Sequence, residues 1–192
     1  WVVGVSGGRN STYTMYKAVK LGLRPLAVHF DNGWNSEIAV QNIQNVTKIL
    51  GVDLETVVAD WEEFKDLQVS FLKSNTPDAD IPTDYVIIST LHKIAAKERI
   101  KYILNGHSFR TEGTTPISWS YMDPRYVRAI HKRFGKMKIK SFPVMSLLNY
   151  IYYSIFKRII FFQLIEYVNY QRDEVDTILR EKYDWQAYGG HH

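Results

Sequence analysis

The chain has 192 residues, with 24 Lys and Arg against 20 Asp and Glu and a formal net charge of +4. That length accommodates one domain with a proper core, and so mild a charge suits phosphate-bearing ligands without arguing for nucleic acid. No cysteine is present, which excludes disulfides, thiolate metal sites and a cysteine nucleophile within these residues.

Residue 1 is Trp and already lies in the first expected strand, and the chain stops at Tyr188, Gly189, Gly190, His191 and His192 without a helix end or polar tail. A piece of a longer protein is the expectation. Val2, Val3 and Val5 form a short apolar run that breaks into Ser6-Gly7-Gly8. A helical pattern begins at once, with Met15, Tyr16, Val19 and Leu23 on one side and Gly22 as the stop. Strand, glycine turn and helix together predict an anion site. Small residues let backbone amides converge on a ligand, and the helix presents its positive end to the same space. Ser6, Gly7, Gly8, Ser11 and Thr12 are the candidate phosphate-binding residues. Neither G-x-x-x-x-G-K-S/T nor G-x-G-x-x-G occurs.

Arg24-Pro25 opens a second strand over residues 26–30, which ends in the turn signal Asp31-Asn32-Gly33-Trp34. Asn35 or Ser36 caps the next helix, whose stripe of Ala39, Ile43, Val46 and Leu50 is ended by Gly51. A third strand is expected over 54–58 and a helix over 61–72, with Phe64, Leu67 and Phe71 on one side. After a loop over 74–82, Thr83 caps a long helix carrying Val86, Ile87, Leu91, Ile94 and Ala95. Residues 102–105 form a fourth strand, broken by Gly106.

Strands alternating with helices predict an α/β fold, a doubly wound parallel sheet covered on both faces. Ligands in such sheets lie beyond the carboxyl ends of the strands. Three loops meet there: residues 6–12, 30–34 and 106–112. Backbone at the end of the second strand, Val28, His29 and Phe30, is expected to meet adenine, while the His29 side chain reads as a satisfied core histidine. Glu112 is the candidate magnesium ligand, and His107 is a lower-ranked candidate catalytic base, since no sequence pattern marks a residue to act with it.

From Gly113 the pattern changes. An aromatic loop with Trp119 and Tyr121 leads to Asp123-Pro124, which opens a helix, and seven cations with no acid lie between residues 125 and 140. Lys140 is the one read as a phosphate clamp, the rest as a solvated helix face. Residues 139–143 are expected to form a short fifth strand and 145–183 to be helical. Residues 1–143 then make the nucleotide-binding α/β domain, and 144–192 its helical continuation. The apolar stretch over 144–168 is interrupted by Lys157, Arg158 and Glu166, too broken for a bilayer span. Its aromatic helix is expected to be core, or a weak membrane-surface or partner contact.

Ser6-Gly7-Gly8-Arg9-Asn10-Ser11 resembles the S-G-G-x-D-S signature of the PP-loop pyrophosphatases, which cleave ATP between its α and β phosphates; Asn10 stands where they have Asp. Further blocks are Pro25-Leu26-Ala27-Val28-His29-Phe30-Asp31-Asn32-Gly33-Trp34, Asp60-Trp61-Glu62-Glu63-Phe64, Ile81-Pro82-Thr83-Asp84 and Thr111-Glu112-Gly113. With Trp185 and Tyr188-Gly189-Gly190, they make the chain resemble the N-acetyl sugar amidotransferase family of PP-loop enzymes. The resemblance implies an adenine nucleotide alpha hydrolase-like fold with ATP and Mg²⁺ as cofactors. It implies a cytoplasmic enzyme of bacterial surface polysaccharide synthesis, turning the N-acetyl group of a nucleotide-linked sugar into an acetamidino group.

Ammonia is then expected from a separate glutaminase subunit, since this chain has no cysteine, and no nucleic acid partner is implied. In the site so implied, Ser6, Gly7, Gly8, Asn10, Ser11, Thr12, Val28, His29, Phe30 and Gly106 hold ATP. Asp31, Asn32, Trp34, Thr83, Asp84 and Trp119 surround the acceptor. Asn10 and Glu112 meet the metal, and Asn10, Lys140 and Glu112 serve catalysis. Two other readings stay open: a PP-loop tRNA-modifying enzyme, and a non-catalytic nucleotide-binding module because of Asn10.

Overall fold

The computed structural model describes residues 1–108, 111, 116 and 122–188. Five strands form one sheet in the order β3-β2-β1-β4-β5, and every pairing is parallel. The strands are β1 (Val2–Gly4), β2 (Leu26–Asp31), β3 (Leu54–Val58), β4 (Tyr102–Asn105) and β5 (Ile160–Gln163). β1 is central, which is why Val2 and Val3 are both fully buried: a strand covered on both faces reads as an unbroken apolar run.

Register carries that alternation across the sheet. Val3 pairs with Ala27 and Leu104, and all three face the cluster built on helices α1 (Arg9–Lys20) and α2 (Glu37–Leu50). Val2 pairs with Leu26 and Ile103, which face Leu91, Ile94 and Ala95 of α4 (Ile81–Lys97) on the other side. A third cluster joins α3 (Trp61–Ser74) to α5 (Pro124–Phe134) through Phe64, Leu67, Phe71, Val127 and Phe142. The doubly wound parallel sheet expected from the alternating pattern is the observed fold.

Local chemistry sets most helix ends. Ser36, rather than Asn35, caps α2 by accepting from the Ala39 amide at 3.1 Å, and Gly51 closes it in the left-handed region. Asp60 caps α3 through the Glu63 amide at 3.1 Å. α4 departs from expectation: it starts at Ile81 after Asp80, so Thr83 lies inside its first turn instead of capping it. Pro82 explains the shift, because proline lacks the amide that a first helical turn leaves unbonded.

Residues after 135 also differ from the sequence reading. Residues 139–143 form no strand, because the amides of Lys140, Ser141 and Phe142 all donate to Glu63. The fifth strand is instead Ile160–Gln163, paired with β4 from Tyr102↔Ile160 to Asn105↔Gln163. The expected helix over 145–183 therefore splits. It becomes α6 (Leu147–Ile151) running into a π turn (Tyr152–Phe156), then β5, a 3₁₀ turn (Leu164–Tyr167) and α7 (Arg172–Tyr183). The run Ile159-Ile160-Phe161-Phe162 is β-branched and aromatic, which suits a pleated strand better than a helix. No helix among the described residues is long and apolar enough to cross a membrane.

Candidate functional site

β1 ends at Gly4, and residues 5–8 turn the chain into α1. Gly7 sits at φ +77°, where a Cβ would stand 2.3 Å from the Ala39 carbonyl oxygen. Both the dihedral and the space demand glycine. The Gly7 carbonyl is fixed from two sides, by Asn42 Nδ2 at 3.1 Å and by Trp185 Nε1 at 2.9 Å. Asn42 also binds Gln186 through both its amide atoms, tying the loop to the segment after α7.

The hydroxyls of Ser6 and Ser11 lie 3.1 Å apart, Ser11 Oγ accepts from the Ser6 amide at 3.2 Å, and it approaches the Gly8 carbonyl at 3.2 Å. Gly106, past the end of β4, presses on the same place, since its Cβ would fall 2.8 Å from the Ser11 nitrogen. Thus Ser6, Gly7, Gly8, Asn10, Ser11 and Gly106 come together at the gap between β1 and β4, where the strand order reverses. That is where such sheets bind ligands. Thr12 belongs to the same turn but is buried, and its amide donates to Gly8 at 3.1 Å.

Electrostatically this helix end is left open to an anion. No acidic residue lies in the first turn of α1, so the helix itself supplies no carboxylate to the partial positive charge there. Arg9 is turned aside into a two-pronged ion pair with Asp176 of α7, its Nη2 3.0 Å from Oδ2. The hydrogen bond to Asp176 raises its pKa against the opposing effect of burial.

Asn10 is held at both ends of its amide. Its Nδ2 donates to Thr111 Oγ1 at 2.8 Å, and its Oδ1 accepts from the Tyr170 hydroxyl at 2.6 Å. The Asn10 oxygen therefore already carries one donor. Glu112, the other expected metal ligand, lies outside the described residues, as does Trp119. Among the described residues no group of three His, Asp or Glu side chains is placed to hold a metal.

At the end of β2, the Val28 carbonyl accepts from the Val5 amide at 2.9 Å. His29 is buried, with Nδ1 2.9 Å from the Val5 carbonyl, so Nδ1 carries the hydrogen; its Nε2 has no hydrogen-bond partner among the described residues. Phe30 lines a cavity of about 390 Å³ with Val57, Val58, Ala59, Asp60, Glu63, Phe64, Ser141, Phe142 and Pro143.

The expected acceptor residues divide by role. Asp31 accepts from the Gly33 amide and Asn35, and Asn32 from the Trp34 amide, so both carboxylate and amide shape the turn. Trp34 is 61% exposed and meets Trp61 edge-on at 4.9 Å. Gly33 is required beneath that pair, because a Cβ would lie 2.5 Å from the Trp61 ring. Thr83 and Asp84 occupy the first turn of α4. Since α4 leads into β4, that turn lies at the edge of the sheet where the strands end.

Lys140 is exposed, and it is its backbone that is bound, through Glu63. With Asp60, Glu63, Met137 and Lys138 it lines a second cavity of about 300 Å³ beyond β3. Among the described residues no hydrogen bond or ion pair joins it to the phosphate loop. Sequence reasoning missed the residues that hold this region. Glu63 Oε1 accepts from the amides of Lys140, Ser141 and Phe142 at 2.8–3.0 Å, and Oε2 from the Ser141 hydroxyl at 3.0 Å. Asp66 Oδ2 accepts from the Lys136 and Met137 amides and from His131 Nε2. Burial alone would raise both carboxyls, but these donors outweigh it and hold them below their ordinary values. A buried acid on the apolar side of α3 was the available signal.

No protein-family model and no curated protein matches the chain. Among solved structures, it is similar to a predicted subunit of a tRNA methyltransferase from Methanocaldococcus jannaschii, with 14% identity over 94% of this chain and 75% of that one and a TM-score of 0.52. At that identity the likeness is one of fold: the chain shares its doubly wound, parallel α/β architecture.

Proposed function

We propose that this chain binds ATP at the 6–11 loop and cleaves it between the α and β phosphates, as the synthetase part of an N-acetyl sugar amidotransferase. The carrying observation is the loop itself. A glycine that tolerates no Cβ, with its carbonyl fixed by Asn42 and Trp185, enters a helix whose first turn holds no acid. Such a nest suits a triphosphate. The blocks shared with the amidotransferase family support the acceptor.

In this reading the acetamido oxygen attacks the α-phosphorus of ATP, and the bond to the β-phosphate oxygen breaks to release pyrophosphate. Ammonia then adds to the imidate carbon, and AMP leaves with the oxygen. The loop amides and the Ser6 and Ser11 hydroxyls stabilise charge on the departing pyrophosphate. The Phe30 cavity receives the adenine, and Trp34 with the first turn of α4 borders the sugar. Mg²⁺ arrives with the ATP phosphates, and ammonia from a glutaminase partner.

The test is a product balance. Incubation with ATP, ammonium and a panel of nucleotide-linked N-acetyl sugars should release AMP and pyrophosphate in equal amounts, dependent on one sugar. Release that depends on tRNA and ignores every sugar would favour a tRNA-modifying PP-loop enzyme instead, the second reading suggested by the name of the Methanocaldococcus neighbour.

A further inference from the structure

The helical segment running through α6 and the π turn, Leu147 to Phe156, contains no buried residue. Its inner side is nonetheless anchored: Tyr150 and Tyr153 pack against the buried ring of His92 at 6.1 and 5.9 Å, and the Tyr153 carbonyl accepts from Ile159. Leu147, Leu148, Ile151, Tyr152, Ile155 and Phe156 recur at one-and-four spacing and so share the opposite side. Leu148 is 77% exposed, Phe156 74%, Leu147 66% and Ile155 65%. Isolated exposed leucines are ordinary; a contiguous stripe of this kind is an interaction surface.

Charge says what it meets. From residue 124 to 165 the chain has nine Lys and Arg and no carboxylate, leaving 15 cations against 20 acids elsewhere. The excess positive charge of the chain therefore falls wholly within the stretch of sequence that contains the stripe. All nine cations are exposed. Lys136, Lys138 and Lys140 precede the stripe, and the amides of Lys136 and Lys140 are pinned by Asp66 and Glu63, so that this basic segment is presented on a fixed frame. Lys157 and Arg158 follow it directly, and the Lys157 ammonium lies 5.5 Å from the Tyr152 ring centre.

We propose that this face docks reversibly on an anionic phospholipid surface, with the stripe in the acyl boundary and the flanking cations among the headgroups. An exposed apolar helix with basic residues before and after it in the chain has the composition of a segment that lies in a membrane interface. RNA is disfavoured because most of the stripe is aliphatic, whereas unpaired bases stack on aromatic and guanidinium planes. The inference does not rest on the nucleotide reading: the stripe and the two cations that follow it, residues 147–158, line neither the phosphate loop nor the Phe30 cavity.

Vesicle flotation of the whole chain tests it. Phosphatidylcholine vesicles containing phosphatidylglycerol should carry the protein, pure phosphatidylcholine about tenfold less, and added salt should reduce binding to the anionic vesicles. Phe156→Asp with Leu148→Asp should lower partition about tenfold or more at an unchanged circular dichroism spectrum and unchanged ATP affinity, since a charge replaces buried apolar surface. Lys157→Gln with Arg158→Gln should lower it about fivefold on anionic vesicles only. Failure to float, or flotation indifferent to the aspartate pair, overturns the proposal. So does tight binding of transfer RNA with no vesicle binding, or a homodimer that the aspartate pair dissociates while vesicles are ignored.

Discussion

Two parts of this molecule are held by the same physics with opposite sign. At the phosphate loop, side-chain donors 35 and 178 residues away, Asn42 and Trp185, fix a carbonyl, that of Gly7. At residues 136–142, side-chain acceptors fix amides: Glu63 and Asp66 take five of them between them. In the second region a carboxylate already occupies the amide nest as an internal anion, so the segment displays its lysine side chains rather than its backbone. In the first region no carboxylate lies in the first helical turn. The loop amides of Ser6 and Gly8 meet only neutral hydroxyls of the loop itself, those of Ser11 and Ser6, which leaves its positive potential unneutralised where the second region's is already met by a carboxylate.

The comparison is broken most severely at Gly7. Gly7→Val would meet the Ala39 carbonyl and adopt a positive φ, costing more than about 3 kcal/mol. Chemical denaturation should show a large fall in midpoint, and a variant as stable as the parent would mean that α2 does not confine the loop. ATP affinity is therefore better probed elsewhere in the loop than by this substitution.

Glu63→Ala comes next. It would leave three amides at 140–142 without their acceptor, for a loss of about 3 kcal/mol. Hydrogen exchange should accelerate at those amides and stay slow in β1 and α1. The same clamp sets an acid limit. Because Glu63 and Asp66 titrate below their ordinary values of 4.5 and 3.8, the stability they contribute is complete above those values and is lost as pH falls through the depressed ones. Acid titration should loosen residues 136–142 in the parent below about pH 4, a transition absent from Glu63→Ala with Asp66→Ala. An identical acid profile would show that the clamp is not what titrates.

Trp185→Phe removes one of the two donors to the Gly7 carbonyl while keeping most of the buried ring. It should cost about 1 kcal/mol and weaken ATP binding a few-fold by calorimetry. Unchanged affinity would mean that Asn42 alone orients the loop.

Asn10→Asp should have the smallest effect on stability, because the Tyr170 hydroxyl already donates at that position and the Thr111 hydroxyl can turn from the Ser108 carbonyl to donate to a carboxylate. In the proposed reaction it should raise pyrophosphate release across a Mg²⁺ titration, since a carboxylate binds that ion better than an amide oxygen. Equal rates would make position 10 neutral.

Local sequence determined a great deal here. The valine run, the glycine turn and the one-and-four stripes of α2 and α3 were legible because each is decided within about ten residues by burial periodicity and turn chemistry; in α1 Met15 and Tyr16 are buried as read, whereas Val19 is not, and Tyr13 and Ala18 complete that side. So was parallel pairing, which follows from strands separated by helices. What local pattern missed lies where partners are far apart in the chain. Residues 139–143 look like a strand by composition, yet Glu63 captures their amides from 77 to 79 residues away. Ile160–Gln163 looks like part of a helix until β4 offers it an edge. Asn10 reads as a mismatch in a motif, and only folding brings Tyr170 and Thr111 to its two ends. Periodicity records which side of an element is buried; which buried polar group meets which amide depends on contacts between elements, and those exist only once the chain has packed.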